Sequence, residues 1–407
     1  MGEILNPEEY YWLDHNEPNG YRVEPAPRLY ITRDFESDSY KYYYMAFKDG
    51  RVFQDIKLDT IIPYDILVKI KDPQDRTLLI LNNSHEAFIS VVEPLYKHII
   101  FEQGIPVHKV VLMTGAFNIL EEVDRIAAIY KMPQIKTELE LPFEEDAVQF
   151  YRNEKHEKED ELHPDTDTWL PPKTLHDGPY KKKFLNFNRR WRLHRPTMFM
   201  LLKKYGLVDH GHISLAPSDD HRTWPQMVEY IREMHYDFPK ILSILDETEE
   251  ELIHQKPLYL DTKDLVVNRA AMTQDHNWLY EETYFSLISE THYYTSHLGF
   301  ESTQFLSEKV WKSILFKHPF IVISSPGILR CLKHIGYKTF EDIIDESYDK
   351  IKNDGDRLLA IAEETKRLCN LSQPELKKFI ERAREICDYN FNVIVNKENF
   401  FHKMNYK

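Results

Sequence analysis

Between residues 181 and 195 lie seven Lys or Arg and no acid, in a chain whose 67 Asp and Glu outnumber 52 Lys and Arg to give a net charge of −15. Cations gathered against the prevailing charge suit a phosphate-bearing ligand, which guanidinium forks grip in pairs of hydrogen bonds. Arg189, Arg190, Arg192 and Arg195 follow an apolar stretch and precede a helix signal, where a helix N-terminus adds its own positive end. Arg195 is the best placed of them. Two other readings stand beside this one: a basic surface balanced by the acidic stretch upstream, or a short nucleic-acid track in which Arg alternates with Trp191.

A second group is Ser307-Glu308-Lys309. Ser307 reads as an N-cap that sets Glu308 and Lys309 in the first helical turn. A lysine there opposes the helix dipole, so it faces an anion such as a diphosphate or pairs with Glu308. Glu290, after the apolar stretch YFSLIS, is an acid at a strand end that can take both hydroxyls of a ribose or act as a cap. Far upstream, His85 and Glu86 follow Asn82-Asn83-Ser84 and offer a base for a hydroxyl proton, while Glu86 fits equally as a first-turn helix acid. Asp165-Thr166-Asp167 has metal-binding form but follows no strand and is read as chance. The 19 histidines show no HExxH or paired Cys/His spacing, and no metal is expected.

These side chains need strands to end beside them. Apolar runs at 77–81 and 109–113, each followed by a helical pattern, predict strand-helix-strand-helix and hence a parallel sheet. Residues 153–180 dissolve into charge and proline and read as a linker. A second α/β series follows, with strands at 183–188, 284–289 and 320–323 and a helix from Ser307 through Phe316. The chain thus divides into an N-terminal Rossmann-like domain at 1–152, the linker, and a ligand-binding domain at 181–407 with terminal helices.

Three scattered cysteines argue against a disulfide framework and for a reducing compartment, and no apolar run is long enough to cross a membrane. A cytoplasmic protein is expected. The acidic balance excludes a general polyanion binder.

The run FLSEKVWKSILFKHPFIVISSPG resembles the donor-site block of GT-B glycosyltransferases of the fucosyltransferase kind, common in bacteria and phages. KKFLNFNRRWRLHRPTMFMLLKKYGLVDHG is similar to that family's strand, arginine loop and helix, and YFSLISET stands between the two blocks in the expected order. The resemblance covers about residues 181 to 350. It implies two Rossmann-like domains facing across a cleft, a UDP- or GDP-sugar donor, Glu308 on the ribose, Lys309 and Arg195 on the diphosphate, and a catalytic Glu in a loop comparable to that of Glu86. The loop after Asn188 is richer in arginine than the family pattern, so neither fucose nor guanine follows. The acceptor is a glycan or a hydroxymethylated base in phage DNA, and the oligomeric state is open. A non-catalytic nucleotide- or glycan-binding protein on the same fold is the alternative.

Overall fold

The computed structural model describes residues 12–13, 21–22, 42–46, 57–62, 64–84, 87–156, 180–188, 192–215, 223–256, 258, 260, 277–294, 303–397 and 401–402. The chain forms two compact units, 1–142 together with 399–407, and 143–398. Both are α/β.

In the first unit the two-residue strands β1 (Trp12–Leu13) and β2 (Tyr21–Arg22) pair with each other. Strands β3 (Tyr42–Ala46), β4 (Leu78–Asn82), β5 (Val110–Thr114) and β6 (Lys136–Glu140) lie side by side in chain order, all parallel. Strands β4 and β5 are buried throughout, as continuous apolar runs in a covered parallel sheet must be. Helix α1 (Tyr64–Lys71) precedes β4, and α2 (Ile119–Tyr130) connects β5 to β6. Helix α2 has the boundaries that its apolar stripe dictates, with Ile119, Val123 and Ile126 buried.

The boundary expected at 152 moves. Helix α3 (Pro142–His156) begins at the division and belongs to the second unit. There the buried Glu144 accepts from Tyr337 Oη at 2.5 Å and pairs with Lys397, while the Tyr151 ring meets Phe391 edge-on. The last residues leave the second unit: β11 (Phe401–His402) pairs antiparallel with β6. These tertiary contacts, none local in sequence, draw this division. The expected linker from 157 to 179, with Asp165 and Asp167, lies outside the described residues.

In the second unit β7 (Phe184–Asn188), β8 (Gly211–Leu215), β9 (Phe285–Ser289) and β10 (Phe320–Ile323) form a wholly parallel sheet in the order β10-β9-β7-β8. Helix α4 (His194–Lys204) joins β7 to β8; α5 (Trp224–Met234) and α6 (Pro239–Ile253) follow. Helix α7 (Glu308–Leu315) runs between β9 and β10, then come α8 (Ile328–His334), α9 (Asp354–Cys369) and α10 (Gln373–Val395). Gly206, past the end of α4, has φ +68, a left-handed turn that closes the helix without a Cβ penalty. No described helix is long and apolar enough to cross a membrane.

Phe184, Phe285, Phe320 and Trp311 are fully buried around this sheet. His318 is buried too, its ring edge-on to that of Tyr280. Its Nε2 donates to the Thr283 carbonyl at 2.9 Å, which leaves Nδ1 to accept from the Ser286 hydroxyl at 2.8 Å. Burial holds this imidazole down to about 4. A depressed histidine stabilises the fold fully above its ordinary value near 6.5 and withdraws that support as pH falls toward 4. The urea midpoint of the second unit should therefore drop between pH 6.5 and 4 more steeply than in His318→Asn. Equal slopes in parent and variant would count against this linkage. Glu346, raised to about 7 by burial, acts in the opposite direction, so the difference between the two proteins is the quantity to read.

Candidate functional site

Strand order in the second sheet reverses at β7: β8 is added on one side, then the chain crosses to place β9 and β10 on the other. Helices leave a parallel sheet on opposite faces at such a reversal, opening a crevice at the carboxyl ends of the two central strands. The register sharpens this point. Strand β7 pairs with β8 over all five residues, but its paired residues with β9 are only Phe184 with Phe285 and Leu185 with Ser286. Beyond Leu185 the Asn186 side chain, rather than the ladder, spans the gap, with Nδ2 donating to the Leu287 carbonyl at 2.5 Å.

That bond fixes a relay. With its Nδ2 committed, Asn186 accepts through Oδ1 from Nδ2 of Asn188, two residues on and on the same face. Asn188 Oδ1 then stands buried with no hydrogen-bond partner. Buried acceptors without donors are rare and mark sites where something else supplies the donor. Neither asparagine stood out as a site residue in the sequence; their i, i+2 spacing on an apolar strand was the available signal.

Arg189 and Arg190 lie outside the described residues, Arg192 is exposed, and Arg195 is 4% exposed. Arg195 sits in the first turn of α4 and donates through Nη2 to the Ser289 carbonyl at 3.2 Å. Its neighbour His194 crosses the same gap, Nε2 donating to the Glu290 carbonyl at 3.0 Å, and stacks on Tyr293 with centroids 5.1 Å apart. Burial, with the charges of Arg195 and Arg192, pushes the His194 imidazole well below its usual value. A neutral histidine and a buried guanidinium therefore tie the loop after β7 to the loop after β9.

Glu290 is fully buried. It accepts from Ser307 N at 3.1 Å, Ser307 Oγ at 2.5 Å and Thr291 N at 3.2 Å. Both carboxylate oxygens are committed within the protein. Glu290, expected on a ribose or as a cap, fastens the start of α7 to the end of β9. Burial raises its carboxyl above the ordinary value against the pull of Lys309 and the Ser307 donors.

Ser307 does occupy the N-cap of α7, in extended conformation, but makes no side-chain cap bond. Its hydroxyl donates to Glu290 instead. Lys309 Nζ reaches Ser307 Oγ at 2.8 Å and Glu308 Oε1 at 2.9 Å. This ion pair is partly open to solvent, Lys309 22% and Glu308 29% exposed. Burial alone would raise the Glu308 carboxyl, but the lysine and its hydrogen bonds hold it below the usual range. His194, Arg195, Glu290, Ser307, Glu308 and Lys309 thus come together at the parting of β7 and β9.

In the first unit, Asn82 ends β4. Its Oδ1 accepts from Ser84 N and Oγ, and its Nδ2 donates to Glu140 Oε2 at 2.8 Å. Asn83 and Ser84 therefore form a tight turn, and Ala87 beyond them has φ +43. His85 and Glu86 lie outside the described residues. Where a regular helix from residue 86 was expected, the chain makes a short 3-10 turn at Ile89–Val91 and a π-helix at Leu95–Glu102.

No family model matches the chain, and no curated protein matches it significantly.

Proposed function

We propose that the second unit binds a nucleotide diphosphate at the carboxyl ends of β7 and β9, and that the protein is a GT-B glycosyltransferase using a UDP- or GDP-sugar donor. The observation that carries the reading is the convergence of Arg195 and Lys309, with the uncapped first turn of α7, on a switch-point crevice. Phosphate oxygens suit such a place: helix amides and two cations supply fixed positive ends. Lys309 would exchange its bond to Glu308 for one to the diphosphate, freeing Glu308 for the ribose hydroxyls. Asn188 Oδ1 would accept an N–H or O–H from the donor.

In the transfer, an acceptor hydroxyl oxygen attacks the anomeric carbon and the bond from that carbon to the diphosphate oxygen breaks. The charge left on the diphosphate is met by Lys309 and Arg195, and the hydroxyl proton goes to a general base, for which the sequence offers Glu86 and His85. The acceptor is a glycan hydroxyl or a hydroxymethylated base. The Lys309 to Glu308 ion pair is also what a purely structural role would produce, so the lysine is the residue to test.

Thermal unfolding followed with UDP-, GDP- and CMP-sugars should show one diphosphate donor stabilising the protein by about 2.7 kcal/mol at 100 times its dissociation constant. Lys309→Ala should lose most of that gain. No stabilisation by any nucleotide, or equal stabilisation of parent and variant, would overturn the reading. Hydrolysis of the stabilising donor then separates an enzyme from a binding protein.

A further inference from the structure

The basic run from 181 to 195 does not form one patch. Strand β7 cuts it in two, and at about 3.3 Å per residue its five residues hold the halves roughly 16 Å apart. Arg195 falls at the carboxyl end of the sheet, in the site described above. The lysines fall at the amino end, where they line a second, open cavity of about 920 Å³ with Asp209, Tyr284 and the start of α10.

We propose that this cavity is a separate binding site for a small phosphorylated molecule. Four lysines, Lys181, Lys182, Lys183 and Lys377, are among its lining residues, with one acid, Asp209, in a protein with a net charge of −15. Their backbone is fixed. Lys181 N and Lys182 N both donate to the Glu282 carbonyl at 3.1 Å, and Lys183 N donates to the His210 carbonyl at 2.6 Å. Lys181 pairs with Glu282, and Lys183 Nζ lies 5.1 Å from the centre of the Tyr284 ring.

The other two lysines are uncompensated. Lys182 Nζ has only the Asp209 carbonyl, at 2.6 Å, and neither it nor Lys377 has a carboxylate within ion-pair distance among the described residues. Like charges gathered around one cavity repel one another unless an anion joins them. Gln373 and Pro374, which open the 23-residue helix α10, also line the cavity, while Glu375 in the same turn is engaged by Ser372 in a capping box. A concave space of this size suits a small molecule, whereas a nucleic-acid backbone would need a charged track extending past it.

Titration calorimetry with inorganic pyrophosphate tests the assignment. Lys309→Ala, which disables the carboxyl-end site, should still bind one pyrophosphate, and Lys182→Glu with Lys377→Glu in that background should weaken this binding at least tenfold. Lysine acetylation read by mass spectrometry, with no substitution here, should show Lys182 and Lys377 protected by pyrophosphate. Unchanged binding in the charge-reversed protein, or equal acetylation with and without pyrophosphate, would overturn the proposal. So would retention of a single-stranded oligonucleotide through these lysines without any binding of pyrophosphate. If the Lys309 reading fails instead, parent and Lys309→Ala bind pyrophosphate alike while the Lys182 and Lys377 effects persist.

Discussion

Arg357→Met should destabilise the second unit by about 3–5 kcal/mol, the cost of breaking a buried ion pair from one side. The Arg357 side chain is 1% exposed, as is that of Asp354, which it meets at 2.6 Å. Its remaining donors reach the carbonyls of Ser324 at 3.0 Å, Ile351 at 2.8 Å and Tyr293 at 2.8 Å. The guanidinium also lies 4.3 Å from the centre of the Tyr293 ring. Methionine fills much of the volume but strands the four carbonyls that Arg357 reaches, that of Lys352 at 3.3 Å included, and takes from the buried Asp354 carboxylate its guanidinium partner. Urea unfolding should show a much lower midpoint for the variant, with a slope close to that of the parent. Adding Asp354→Asn to Arg357→Met removes the stranded charge and should recover part of the loss. A loss below about 1 kcal/mol, or no recovery, would refute this account. The effect reaches the candidate site, because Tyr293 stacks on His194, so nucleotide stabilisation should weaken in the same variant.

Arg357 also marks a limit of what the sequence discloses. Its position on a helix is legible from an apolar stripe; its burial against the ends of β9 and β10 is not, since every partner but Asp354 is a carbonyl brought there by the fold. The same division runs through the molecule. Strands β4, β5, β9 and β10 announce themselves because strands covered on both faces are continuous apolar runs. Strand β6 is KTELE, only one of whose residues is buried, and no apolar pattern betrays it. Helices α5 and α6 are hard to anchor in the sequence because β8 ahead of them, GHISL, is buried only over its last three residues and makes no continuous apolar run. The return of β11 to the first sheet is invisible locally, since a two-residue strand carries no pattern at all.

Within the candidate site, charge and position single out Arg195, Glu308 and Lys309, because a cation in a first helical turn is anomalous whatever surrounds it. The basic run itself misleads when read as one dimension: a strand separates side chains that a list of residues places together. The Asn186 to Asn188 relay needs the parted ladder to have meaning. Ser307 reads correctly as an N-cap by position, yet its hydroxyl is diverted by a carboxylate seventeen residues away in sequence. Capping rules describe local competition for donors, and a buried acid at the end of a neighbouring strand wins that competition.

Glu290 tests this last point, because the two roles open to it predict different measurements. As a positioning residue it satisfies three donors in a fully buried setting, and hydrogen bonds to a charged acceptor contribute roughly 1.5–3 kcal/mol each. Glu290→Ala should therefore cost about 4 kcal/mol after partial relaxation, and should weaken nucleotide stabilisation only because Ser307 and Lys309 lose their fixed places. As a direct ribose ligand it would do the reverse, abolishing nucleotide binding at nearly unchanged stability. That second pattern would sink the positioning role. Glu290→Gln separates the terms further: one oxygen still accepts from Ser307 Oγ while the amide nitrogen faces Ser307 N, so about half the loss should remain. The acid also leaves a signature in pH. Its carboxyl is raised by burial, so its contribution is complete below the ordinary carboxyl value near 4.5 and declines as pH rises through the raised value. Between parent and Glu290→Gln the difference in stability should change with pH in that direction, and a flat difference would show that the carboxyl titrates as it does in the unfolded chain.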